Sequence, residues 1–316
     1  MLESLKFVQG AVATRDFVPE LCHFHIQGGM IRGYNGMIAL GGPIDLNLDI
    51  CPKATSLVKA IQSCKEAIQL HVTPSGKLAI KSGKFKVYVD CIQKAYPDVA
   101  PEGQFIEVKG GILQALKKLA PFISDDASKP WSRGVLFRDN SAFSTNNVVL
   151  AEYWLGYKFP MEINIPRTAV NELIRINEEP IGLQFAENSI SFHFSNNRWM
   201  RTQVLSTGWP DLNRILNNPS EPADWPDGFF TALNDIAPFV DDVGKVIFLP
   251  GKIATSREEG VGATFEVEGL ENVGIYNIKY LQSLKDIATK IDLSGYPGPS
   301  LFFGENIRGA IIGMRE

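Results

Sequence analysis

Apolar residues recur along this chain in two rhythms, a helical one and an extended one, and the alternation between them is written three times. The plainest internal match sets Ala115-Leu116-Lys117-Lys118-Leu119-Ala120-Pro121-Phe122-Ile123 against Ala232-Leu233-Asn234-Asp235-Ile236-Ala237-Pro238-Phe239-Val240, each followed within two residues by acidic side chains. Both predict short helices stopped by proline. Leu2-Glu3-Ser4-Leu5-Lys6-Phe7-Val8 is a looser third copy, entering a turn region that ends at Pro19. After each helix comes extended sequence, over 22–48, 134–155 and 245–267, broken at Gly28-Gly29, Asp139-Asn140 and Pro250-Gly251. Those are residues that tight turns use for a positive or preset φ.

A second helix is predicted in each copy, over 52–65, 166–176 and 277–288, with Pro52 and Pro166 in the first turn of the first two. Leu57, Val58 and Ile61, then Val170, Leu173 and Ile174, then Leu281, Leu284 and Ile287 give each helix one buried face. Each copy closes in a three-stranded meander: Ile68 to Val89, Ile181 to Val204, and Ile291 to Met314, where period-two alternation marks one buried face. Two boundaries carry an aromatic-Pro-Asp signature, Tyr96-Pro97-Asp98-Val99 and Trp209-Pro210-Asp211-Leu212. The linker 217–228, with Pro219, Pro222 and Pro226, is extended and incompatible with helix. The expected architecture is α+β: three tandem domains, near 1–104, 105–217 and 218–316, each with two helices packed on antiparallel sheet.

Composition and charge sharpen this picture. At 316 residues and 45% apolar side chains, each unit has enough to bury a core. No uninterrupted apolar run approaches the ~18 residues that span a bilayer, so the expected location is cytoplasmic. Cys22, Cys51, Cys64 and Cys91 show no CxxC spacing and read as reduced structural thiols. The run Cys22-His23-Phe24-His25 raises a metal hypothesis, because alternate strand residues share a face, but it lacks a partner pair at zinc-like spacing; no metal or cofactor is expected. The net charge of −4 argues against a nucleic-acid partner unless charge is segregated. It is segregated: in the windows 2–9, 52–66, 110–120, 166–176, 228–237 and 277–290, eleven Lys and Arg face five Asp and Glu, leaving 20 against 30 elsewhere. If the six helices share a surface, that surface is basic, and Lys6, Lys53, Lys59, Lys117, Lys118, Arg167, Arg175, Lys279 and Lys285 are candidate contacts to a polyanion. The competing reading is that helices collect lysine as a good helix former and expose it to water. No recognition helix, zinc finger or RNP signature reads bases, so sparse cations predict sequence-blind, mobile contacts.

These residues resemble the bacterial-type sliding clamp, the β subunit of the replicative DNA polymerase, along essentially the whole chain. The most specific stretches are Trp209-Pro210-Asp211-Leu212-Asn213-Arg214-Ile215-Leu216, Lys81-Ser82-Gly83-Lys84-Phe85 with Ala95-Tyr96-Pro97-Asp98, and Met314-Arg315. The resemblance implies three clamp domains per subunit, forming half of a ring. Two subunits close head to tail as a homodimer, with helices lining the hole and sheets outside. It further implies a processivity factor that encircles double-stranded DNA without sequence specificity and tethers the replicative DNA polymerase. Replication or repair factors bearing peptide motifs are the other expected partners, a clamp loader places the ring, no membrane is involved, and the setting is the nucleoid or replication fork. Carried over by position, a partner-peptide pocket falls on Thr145, Leu150, Pro210, Arg214, Ile215, Ile312, Met314 and Arg315. An apolar wall with a few polar anchors suits such a groove, and a plain core role for Leu150, Ile215 and Ile312 is the alternative. DNA contact falls on the loop residue Arg15 and on Lys129-Pro130-Trp131, with a core tryptophan again the alternative at Trp131.

The departures matter. Typical bacterial clamps carry Gly-His-Arg-Leu where this chain runs Asn146-Asn147-Val148-Val149-Leu150, and end in Met-Pro-Met-Arg-Leu where this one ends Ile312-Gly313-Met314-Arg315-Glu316. With the compact length, they imply a divergent or phage clamp working with its own polymerase. Two other classes stay open. An enzyme is disfavoured by the absence of GxSxG, HExxH, Walker A and GxGxxG, and the pairs Asp125-Asp126, Asp241-Asp242 and Glu258-Glu259 read as solvated turns. A clamp-fold structural or inhibitory protein that binds a polymerase but is never loaded is the other.

Overall fold

The computed structural model of the chain describes residues 1–15, 17–258 and 260–315. Asp16, Glu316 and Glu259, the second carboxylate of its pair, lie outside them. Among the described residues the helices are α1 (Leu2–Gln9), α2 (Ala54–Ser63), α3 (Ile112–Leu119), α4 (Arg167–Ile176), α5 (Asn213–Leu216), α6 (Phe229–Ile236) and α7 (Ile278–Gln282). Helices α3 and α6 run into 3-10 turns at Ala120–Phe122 and Ala237–Phe239, where the proline has no N–H with which to continue the ladder. The first turn of α3 is satisfied from a distance: the Glu179 carboxylate accepts from Ile112 N at 2.7 Å and Leu113 N at 3.1 Å. A negative group at a helix N-terminus also complements its dipole.

Two expectations shift. Pro52 and Pro166 do not open helices; each is the last residue of a strand, Cys51–Pro52 and Ile163–Pro166, and the helices begin just after them. The helix expected over 277–288 ends at Gln282. Asn277 caps its start by accepting from Lys279 N, but Ser283 Oγ donates to Tyr280 O at 2.6 Å and the chain tightens into i to i−3 bonds. A serine that engages the backbone competes with regular helix, while Leu284 and Ile287 remain buried as the periodicity required.

Contact density divides the chain into two compact units, one of residues 1–113 and 168–204, the other of 114–167 and 205–316. The first is built on a seven-stranded antiparallel sheet. Strands His25–Gln27, Met30–Tyr34 and Ile38–Pro43 continue through Trp199–Gln203, Ser189–His193 and Gly182–Ala186 to Gln104–Glu107. It also holds a three-stranded meander, Ile68–Val72, Leu78–Ser82 and Phe85–Val89. The second unit is built on an eight-stranded sheet in which Gly134–Arg138, Ser141–Thr145 and Val149–Trp154, flanked by Ile163–Pro166, continue through Ile307–Ile312 and Pro299–Gly304. Beside it lies a four-stranded sheet, ordered Thr264–Glu266, Lys252–Ala254, Lys245–Leu249 and Gly274–Asn277. The expected turns are where the chain reverses: Gly28, Gly29, Asp139 and Gly251 have φ of 57°, 73°, 51° and 76°.

Fully buried aromatic side chains anchor each unit, Phe24, Phe192 and Phe194 in the first and Phe122, Phe137, Phe229, Phe248, Tyr276 and Phe302 in the second. Around Trp209 the core comprises Leu136, Leu150, Leu212 and Leu216, with Trp131, Phe143 and Ile215 packed against it. No helix among the described residues is long and apolar enough to cross a membrane.

Two stability predictions follow from this packing. The Trp209 indole is 8% exposed, yet its Nε1 finds no hydrogen-bond partner among the described residues. Trp209→Phe should therefore stay within about 1 kcal/mol of the parent by chemical denaturation, whereas Trp209→Ala should cost about 3–5 kcal/mol. Asp292 is buried, which by itself raises a carboxyl pKa. Ser294 Oγ at 2.6 Å, Glu221 N at 2.9 Å and Ser294 N at 3.0 Å outweigh burial and hold it below the ordinary value. A lowered folded-state pKa gives stability that is present above the unfolded carboxyl's value and lost as pH falls through the folded one. Thermal melts should show the parent losing its advantage over Asp292→Asn as the pH drops below about 4.

Candidate functional site

In the second unit, a turn, a strand pair and a short helix enclose a cavity of about 230 Å³. The turn joins Ser141–Thr145 to Val149–Trp154. Asn146 Oδ1 accepts from Val148 N at 3.1 Å and Val149 N at 2.8 Å, while Asn147 takes the left-handed φ of 70° that asparagine tolerates. Thr145 Oγ1 donates to Val149 O at 2.8 Å and accepts from Asn147 N at 3.1 Å, so its polar capacity is spent on the turn. The floor comes from Leu150 and Ala310, directly paired across the sheet, with Ile312 two residues on. The far wall is Pro210 and Leu212, on the segment leading into α5, and Ile215 within that helix, whose start is held by Asp211 Oδ1 accepting from Asn213 N at 3.1 Å.

Trp131 closes the side from the 3-10 turn Pro130–Ser132, its ring against that of Trp209 at 5.0 Å between centroids. Lys129 Nζ reaches across the mouth to Asn147 Oδ1 at 2.9 Å. Behind the site, Arg308 donates through Nε to Glu152 at 2.6 Å and through an amino group to Asn217 Oδ1 at 3.2 Å, tying the end of α5 to the paired strands. The result is an apolar recess with a polar rim, a shape that receives apolar side chains of an extended segment while hydrogen bonds fix its direction.

Of the eight residues assigned to a pocket, Thr145, Leu150, Pro210, Ile215 and Ile312 line this cavity and Arg214, Met314 and Arg315 do not. The Arg214 side chain is 88% exposed, 3.9 Å from Asp211. Met314 is held by its backbone, N to Ile275 O at 2.7 Å and O accepting from Tyr296 Oη at 2.9 Å. The sequence reading missed Asn147, Val148, Val149, Leu212 and Ala310 as lining residues. Leu212 was within reach through its place in the Trp-Pro-Asp-Leu run, but Ala310 enters only through strand register. Lys129 and Trp131, grouped in the sequence with candidate DNA contacts, lie at this cavity.

The other candidate cations are distributed over both units. Lys6, Lys53, Lys59, Lys117, Lys279, Lys285 and Arg15 are exposed. Arg175 pairs with Glu172 at 2.5 Å and donates to Phe7 O at 2.8 Å, fastening α4 to α1, and α1 packs on α2. Lys118 donates to Asp286 O at 2.6 Å, and Arg167 bonds Ile123 O and pairs with Asp125 at 3.2 Å. Three of these cations thus also serve as fasteners between elements.

The histidines of the early cluster go separate ways: His23 Nδ1 lies 2.6 Å from Pro19 O, and His25 stacks on Tyr96 at 5.1 Å. Among the described residues no three His, Cys, Asp or Glu side chains are grouped to hold a metal ion. Burial pushes the Cys51 thiol up to about 11, so it stays protonated at neutral pH.

No protein-family model matches the sequence, and comparison with curated proteins gives no match. Solved structures do match. A DnaN sliding clamp (DNA polymerase III subunit beta) from Pseudomonas aeruginosa bound to griselimycin superposes with a TM-score of 0.83 at 16% identity, covering 100% of this chain and 97% of that one. The Bartonella birtlesii DnaN clamp, also bound to griselimycin, gives 0.84 at 17%, and the Bacillus subtilis DNA polymerase sliding clamp 0.82 at 18%, each with the same coverage. The chain therefore has the α+β fold of the bacterial sliding clamps over its whole length.

Proposed function

We propose that the chain is a sliding clamp: a homodimeric ring that encircles duplex DNA without sequence preference and tethers a replicative polymerase and other factors through the cavity at Trp131, Leu150 and Ile215. One observation carries the ring. In each large sheet the first three strands of one repeat are completed by the closing meander of the next: Ala39 pairs with Arg201, and Leu150 with Ala310. Two half-sheets are left over, the opening one of the third repeat, with free edge Thr264–Glu266, and the closing meander of the first, with free edge Phe85–Val89. An edge strand presents unpaired N–H and C=O groups that must be covered or joined. Joining the third repeat of one protomer to the first of another applies the same rule once more, and two such head-to-tail contacts close six repeats.

Charge supports the same pairing, since exposed Lys81, Lys84 and Lys86 flank one edge and exposed Glu266, Glu268 and Glu271 the other. So does the repeated Ala-Pro-Phe turn. Phe122 is 0% exposed and sits 6.5 Å from Phe302 of the following repeat, while its counterpart Phe239 is 63% exposed, awaiting such a neighbour. On this reading the repeats divide near 1–104, 105–217 and 218–316. Lys6, Lys53, Lys59, Lys117, Lys118, Arg167, Arg175, Lys279 and Lys285, with Arg15, Lys129 and Trp131, form the candidate DNA set, Lys129 and Trp131 also bordering the peptide cavity. Retention is topological, a clamp loader opens the ring, and the chain itself catalyses nothing.

The unmodified chain should run as a dimer by light scattering and Phe239→Asp as a monomer. After loading, the protein should stay on nicked circular DNA and leave when the circle is linearised; retention indifferent to linearisation would leave a clamp-fold protein that is not a clamp. For the cavity, a fluorescein-labelled pentapeptide, Ser-Leu-Ala-Leu-Phe, should bind the parent, and Ile215→Asp should weaken it at least about tenfold by anisotropy, since a carboxylate in the apolar wall must be desolvated.

A further inference from the structure

The turn that frames the cavity occurs twice. Asn35 Oδ1 accepts from Met37 N and Ile38 N, both at 3.0 Å, as Asn146 Oδ1 does from Val148 and Val149. Asn35 N bonds Ile38 O as Asn146 N bonds Val149 O, and Gly36, with φ of 90°, stands in the place of Asn147. The register repeats too, with Ala39 opposite Arg201 as Leu150 is opposite Ala310. Tyr96-Pro97-Asp98-Val99 occupies the position of Trp209-Pro210-Asp211-Leu212. Together these elements of the first unit enclose a second cavity of about 190 Å³.

Counting along the matched frames, Arg201 replaces Ala310, Gln203 replaces Ile312 and Glu102 replaces Ile215, and all three line the second cavity. The turn and the strand register are kept, the helical turn of α5 is not, since 100–103 lie outside any helix, and the chemistry of the lining is inverted. Arg201, 18% exposed, donates to Ala100 O at 2.5 Å, to Glu102 at 2.9 Å and to Ser189 Oγ at 3.2 Å. Its guanidinium is thus satisfied within the wall. An apolar side chain seated there would strip water from an ion pair and return no hydrogen bond.

We propose that the seam between the first two repeats is a degenerate copy of the peptide pocket, closed to apolar peptides by Arg201 and Glu102, and that these two residues hold the number of such sites to one per protomer. The proposal rests on the peptide-docking reading of the first cavity.

The test is peptide stoichiometry by isothermal titration calorimetry with the full chain and the pentapeptide above. The parent should bind one peptide per protomer, and Arg201→Ala with Glu102→Ile should bind two, the new site within about tenfold of the first. Adding Ile215→Asp to that variant should leave one site. The reciprocal pair, Ala310→Arg with Ile215→Glu in the parent, should abolish binding, and melting temperatures identify any variant that fails to fold. One site in both the parent and the folded Arg201→Ala, Glu102→Ile variant overturns the proposal, as does undiminished binding by the reciprocal pair. A parent that binds no peptide overturns the docking reading itself, and this proposal with it.

Discussion

Antiparallel hydrogen bonding between the last opening strand of one repeat and the last closing strand of the next is the constraint on which the rest of this molecule depends. The outer strands of a repeat offer unpaired backbone N–H and C=O groups. That need is met at the seam, where Ile38–Pro43 joins Trp199–Gln203 and Val149–Trp154 joins Ile307–Ile312. The compact units therefore cut across the sequence repeats, falling within α3 and at the start of α4. A repeat is the unit of the sequence, whereas the paired sheet is the unit of cohesion.

The candidate site is a by-product of the same pairing. Because the strands meet in fixed register, Leu150 lies beside Ala310, and the Asn146 turn, Ile312 and the Pro210–Ile215 segment converge on one recess. Glu152, which also accepts from Ser141 Oγ at 2.7 Å, and Arg308 lock that convergence from behind. A charged pair between the two seam strands, with Arg308 also donating to Asn217 at the end of α5, resists shear better than apolar contact alone, since its geometry is directional. The rim polar groups are largely committed to the turn itself, which leaves the interior apolar and pre-formed, and pre-formed recesses lower the ordering cost of binding.

What the chain revealed before folding follows from local physics. The Ala-Pro-Phe stops, the positive-φ turns at Gly28-Gly29 and Gly251, and the alternation in the meanders are consequences of three to nine neighbouring residues, and these are where the elements formed. The third second-helix was overestimated because Leu281, Leu284 and Ile287 keep helical spacing in a segment that buries them through a looser succession of turns. Periodicity reports which side is buried, not which ladder buries it. Within the candidate pocket, Pro210 and Ile215 were marked by the family-like run Trp209–Leu216 and Leu150 by position in a run that departs from the family, while Ala310 has no local signature whatever.

By itself the sequence determined the threefold alternation of helix and strand, the proline stops that follow α3 and α6, and the segregation of positive charge into the predicted helical windows. All of these are set by side-chain shape, backbone freedom and spacing along the chain. Only the tertiary structure decided which strands pair across the repeats, that Phe122 is covered while Phe239 is bare, and that one seam presents an apolar recess and the other the Arg201–Glu102 pair. Those outcomes depend on register between segments more than a hundred residues apart, as at Leu150 and Ala310. No local rule encodes such a register: it is fixed when buried faces and backbone hydrogen bonds are satisfied together.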